Sequence, residues 1–88
     1  GGYIRIGRLT FSDKHELVHD LIKNMGEQLS TTVFADILQL LFAEGLMTER
    51  EGNLFLATGS DDVLGKDADK IRARMMLQLL RRLDRKED

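Results

Sequence analysis

From Ser30 to Glu44 the chain reads STTVFADILQLLFAE. Wound on a 3.6-residue period, Val33, Phe34, Ile37, Leu38, Leu40, Leu41 and Phe42 cover most of the circumference. Only Thr32, Asp36, Gln39 and Ala43 make a polar or small face. A helix so apolar needs neighbours on most sides, which places it at the centre of a core or of an interface. The remainder of the chain has to supply those neighbours.

Upstream, residues 3–11 (YIRIGRLTF) alternate Ile4 and Ile6 with Arg5 and Gly7, as a short extended segment does. Ser12 or Asp13 is placed to cap a following helix, and Asp13 with Glu16 has the spacing of a capping box. Leu17, Val18, Leu21, Ile22 and Met25 then fall on one stripe, and Gly26 marks a stop. Downstream, Gly45 suits the left-handed position after the central helix. Residues 46–57 (LMTEREGNLFLA) read as a β-hairpin, two apolar segments about a Glu51-Gly52-Asn53 turn. In that reading Phe55 faces away from Leu54 and Leu56. TGSDDVLG is a loop or short turn. A last helix starts near Asp67 and runs to about Arg85, with Ala68, Ile71, Met75, Met76, Leu79, Leu80 and Leu83 on one side. Lys70, Arg74, Arg81 and Arg85 form a narrow stripe on the other. The expected fold is therefore mainly α with a small β-hairpin (α+β): a winged-helix-like domain over 1–66, then an amphipathic basic helix over 67–88.

The totals narrow the function classes. A chain of 88 residues makes one small domain or a piece of a larger protein. It has no cysteine, which rules out disulfides and thiolate metal sites. No apolar run reaches the length of a membrane span and no secretory leader is visible, so the expected location is the cytoplasm, nucleus or nucleoid. Charge is unevenly spread. Residues 1–65 hold five basic groups against ten acidic ones, and residues 66–88 hold eight against five. Such asymmetry concerns partners more than fold.

His15-Glu16-Leu17-Val18-His19 matches the H-E-x-x-H pattern of zinc peptidases. On a helix the two histidines lie one turn apart, and Glu16 would be the general base. A catalytic zinc also needs a third protein ligand, and the chain has no other histidine. The same residues give Leu17 and Val18 to the apolar stripe, so the helix reads as structural, with no metal and no cofactor implied. Gly65-Lys66 is followed by Asp67 where a phosphate-binding loop needs Ser or Thr, and Asp61 and Asp62 would repel phosphate. As a DNA-reading element the central helix is poorly equipped, because no Lys or Arg occurs between Lys23 and Arg50. The last helix is the better candidate for DNA or another acidic partner, through Lys70, Arg74, Arg81 and Arg85.

One stretch resembles a known family. In LTFSDKHELVHDLIKNMGEQLSTTVFADILQLLFAEGLMTEREGNLFLATGSDD, the features are Thr10-Phe11-Ser12, Met25, Leu29-Ser30, Val33-Phe34, Ile37-Leu38-Gln39-Leu40-Leu41, Glu44-Gly45-Leu46 and the acidic turn Gly59-Ser60-Asp61-Asp62. Residues 9–62 are similar in these to the C-terminal winged-helix domain of kleisins of the condensin type. The long basic helix and the missing preceding helix depart from that pattern. The resemblance implies a non-enzymatic module of chromosome organisation that docks on the ATPase head of an SMC protein.

The functional expectation is thus a protein-interaction domain. Leu54, Phe55 and Leu56 of the hairpin and Met75, Leu79 and Leu83 of the last helix are its candidate contacts, and self-association through the last helix is the other possible use. The alternative is a dimeric winged-helix transcriptional regulator that binds DNA. A small zinc hydrolase built on HELVH is the third reading.

Overall fold

The computed structural model describes residues 11–87, with side chains from 16 to 83. It is helical from end to end: α1 (Phe11–Asn24), α2 (Thr31–Ala43), α3 (Glu49–Thr58), the single turn α4 (Asp61–Leu64), a 3-10 turn (Gly65–Asp67) and α5 (Ala68–Glu87). α1 and α2 pack against α5, α2 also packs against α3, and α4 bridges α3 and α5.

Local chemistry sets the boundaries. Ser30 caps α2, its hydroxyl accepting from the Val33 amide at 3.2 Å. Both α1 and α2 end in Schellman turns. After α2, Gly45 has φ +74°, its amide donates to Phe42 O, and the Leu46 amide reaches back to Leu41 O. After α1, Gly26 and Glu27 repeat those bonds to Lys23 O and Ile22 O. Ser12 and Asp13 are not caps, because the helix already includes Phe11 and places both in its first turn. The extended segment expected over 3–11 falls outside the described residues except for Phe11.

The β-hairpin expected at 46–57 is not formed, and no strand occurs among the described residues. Its place is taken by α3. Thr48 caps the helix, accepting from the Glu51 amide at 3.1 Å, while Glu51 Oε1 accepts from the Thr48 amide at 2.9 Å. This reciprocal pair is a capping box. It satisfies two backbone donors at once and carries the chain through Gly52-Asn53 as helix instead of turn. Without the hairpin there is no wing.

The core takes Val18 and Ile22 from α1, Leu29 from the α1–α2 connection and Phe34, Ile37, Leu38 and Leu41 from α2. Met47 and, from α5, Ala73, Met76, Leu79, Leu80 and Leu83 complete it. Complete burial of a side chain such as Phe34 or Ile22 contributes about 1.5–3 kcal/mol. α3 gives no fully buried residue; Phe55 and Leu56 cover the core from outside. The expectation of a central α2 is met, with one exception: Phe42 near its end is 41% exposed.

Candidate interaction surface

The polar centre of the molecule is Arg72, which is 1% exposed. On α5 it falls on the line of Ala68, Met76 and Leu80, all buried, so its guanidinium points into the core. Nε donates to Leu29 O at 2.8 Å, and one terminal nitrogen donates to Gly59 O at 2.7 Å and to Asp61 Oδ1 at 2.8 Å. The other terminal nitrogen donates to Asp69 Oδ1. One side chain thereby joins the α1–α2 connection, the α3–α4 junction and α5. Its carboxylate partners are largely in water, Asp61 at 72% and Asp69 at 51% exposed, so charge is neutralised at the edge while the carbonyls are bound inside. Among the described residues no buried side-chain nitrogen or oxygen lacks a partner. Sequence reasoning passed over Arg72. The available signal was an arginine four residues from both Ala68 and Met76, inside the apolar stripe.

Around this framework the expected contact residues separate. The helical form of α3 sets Leu54, Phe55 and Leu56 about 100° apart, so the two-faced arrangement of a strand does not apply. Leu54 points outward and is 63% exposed. Phe55 meets Met75 and Leu79 at a shallow cavity between α3 and α5, rimmed by Gln78 and Arg82. Leu56 lies about a quarter turn or more further round α3, in a groove with Ala35, Leu38, Gln39 and Phe42 of α2. Leu79 and Leu83 are 5% and 7% exposed and serve the core of their own protomer. Lys70, Arg74 and Arg81 are all exposed, and Arg85 lies beyond the last described side chain.

The HELVH stretch lies within α1, where Val18 is buried and His19 half-buried. The His15 side chain is outside those described. Among the described residues no group of three His, Cys, Asp or Glu is placed to hold a metal ion. No helix there is long and apolar enough to cross a membrane.

Residues 13–81 match the family model described as the CtsR C-terminal dimerization domain. The chain belongs to this family. It is 32% identical over 83 residues to the transcriptional regulator CtsR of Bacillus subtilis, covering 91% of this chain and 54% of that protein. The namesake of Geobacillus stearothermophilus is 30% identical over the same shares, and that of Lactiplantibacillus plantarum 29% over 94% and 56%. The chain thus spans about half the length of the CtsR proteins it matches. No solved structure matches it. These relationships overturn the kleisin resemblance and the SMC-docking function drawn from it. That likeness rested mostly on apolar positions, chiefly Val33-Phe34 and Ile37-Leu38 with Leu40-Leu41 of α2, a pattern that any small helical core repeats. The relatives carry the name of a transcriptional regulator, not of an enzyme.

Proposed function

We propose that this chain is the self-association module of a bacterial transcriptional regulator of the CtsR type, acting in the cytoplasm at the nucleoid. Its surface for a second copy is the outer face of α3 with the adjoining edge of α5. The observation that carries the surface is the cavity where Phe55, Met75 and Leu79 meet, beside an exposed Leu54. The family description supports the occupant. In a two-fold dimer each patch meets its own copy, so Leu54 of one protomer fills the Phe55–Met75–Leu79 cavity of the other. A stable interface buries on the order of 1,200–2,000 Å², more than one leucine supplies, and so extends over several turns of α3.

The test is sedimentation equilibrium of the wild type and of Leu54→Glu, Met75→Glu and Leu21→Glu. The wild type is expected to be a dimer. A carboxylate in the centre of the patch costs at least about 2 kcal/mol, roughly thirtyfold in dissociation constant, for Leu54→Glu and Met75→Glu. Leu21→Glu, on α1, leaves the dimer intact. Helix content by circular dichroism checks that each variant is folded. A dimer indifferent to both α3–α5 variants refutes this surface, and a wild type monomeric at all concentrations refutes self-association.

A further inference from the structure

We propose that the basic stripe of α5 is a docking strip for the phosphate backbone of duplex DNA, independent of base sequence; this rests on the reading of the chain as part of a DNA-associated regulator. Lys70, Arg74 and Arg81 lie within about 40° of one another around the helix and span roughly 16 Å along it. All three are exposed. Among the described residues the ion pairs engage Lys23 and Arg72 and none engages these three cations, with Asp67 and Asp69 flanking only the Lys70 end of the stripe. The opposite side of α5 is committed to the core through Met76, Leu79 and Leu83, which holds the stripe on a supported element.

An acidic protein is the competing occupant, and the surface argues against it. Protein interfaces form around a desolvated apolar centre. The exposed large apolar residues, Leu21, Met25, Phe42, Leu54 and Val63, all lie outside α5, so the stripe offers cations without such a centre. A polyanion with no apolar demand fits it, and the phosphate backbone is one. The stripe lies roughly 100° or more around α5 from Met75 and Leu79, so a dimer and a DNA contact can coexist.

The experiment measures binding of the 88-residue chain to a labelled duplex of arbitrary sequence, about two helical turns long, at about 50 and about 200 mM salt. With two to three phosphate contacts made by one stripe on the duplex, affinity is expected to fall roughly 10- to 40-fold between those salts. The triple variant Lys70→Gln, Arg74→Gln, Arg81→Gln is expected to bind at least about tenfold more weakly at low salt and to lose most of the salt dependence. Lys23→Gln, which removes a cation from α1, leaves binding within about twofold. No binding at low salt, or binding that the triple variant retains, overturns the proposal. So does a triple variant whose dimer dissociates, since that assigns the stripe to a protein contact. Light scattering on the same samples separates the two readings: a monomeric wild type that binds through the stripe refutes the α3–α5 interface alone.

Discussion

Arg72 exchanges its water for two carbonyls and two carboxylates, and the carbonyls are the costly part to lose. Leu29 O and Gly59 O are inside the protein, each worth about 1–3 kcal/mol when left without a donor. Arg72→Leu is therefore expected to destabilise by about 2–5 kcal/mol, a large share of the ~5–15 kcal/mol available to a typical domain. Arg72→Lys recovers little, because a point ammonium cannot reproduce a planar fork that serves three segments. Asp61→Asn, at an exposed carboxylate, costs under about 1 kcal/mol. Urea midpoints of the three variants check this order, and an equal loss for Asp61→Asn and Arg72→Leu would contradict it. Gly59 belongs to the same site. A methyl there would sit 2.7 Å from a ring carbon of Phe34 and 2.9 Å from Phe55 O, and the latter is backbone and cannot step aside. Gly59→Ala is expected to cost about 1–3 kcal/mol.

At the scale of the element, α3 is the helix that the residues describe ambiguously. Gly52 lies in its interior, where glycine costs up to about 1 kcal/mol relative to alanine. A methyl at Gly52 would meet Met47 Sδ at 3.7 Å, an ordinary contact. Gly52→Ala is thus expected to raise stability by about 0.5–1 kcal/mol, and Thr48→Ala to lower it by about 1 kcal/mol through loss of the cap. Thermal melts of both variants test the pair, since a hairpin turn at 51–53 would reverse the sign at Gly52. The same residues explain what could be read in advance. α1, α2 and α5 were readable because their apolar stripes run for two turns or more, and Ser30, Gly26 and Gly45 punctuate them. α3 was not, because its ten residues bury nothing completely and Gly-Asn is a strong turn signal. Thr48-x-x-Glu51 was the competing signal, and it decided the outcome. The basic stripe was readable from spacing alone. The Phe55–Met75–Leu79 cavity was not, because its residues come from two helices about twenty positions apart whose meeting depends on α3 being a helix.

For the whole molecule, size sets the terms. A domain this small buries a limited fraction of its surface, so a second copy adds stability that the single chain lacks. The melting temperature is accordingly expected to rise by several degrees over a tenfold increase in protein concentration, and Leu54→Glu should remove that dependence. A melting temperature that ignores concentration in the wild type would place the dimer elsewhere or deny it. The charge distribution belongs to this scale too. With five basic groups against ten acidic ones over residues 1–65 and eight against five over 66–88, the chain is acidic except at its last helix, so a polyanion that binds is expected to meet the α5 side.

The Leu29 amide donates to Asp69 O at 3.0 Å, on a residue with no accessible surface, and its carbonyl receives Arg72. Those two bonds fasten together points about forty residues apart, so this amide meets deuterium only when α5 lifts away from the α1–α2 connection. Its exchange rate is a clock for the parting of the first turn of α5, held by Arg72, from the α1–α2 connection, whereas amides at the ends of α3 exchange through local fraying. If two copies pair through the α3–α5 surface in the folded form alone, that clock slows as the protein is concentrated, and one backbone proton reports assembly from outside the proposed interface.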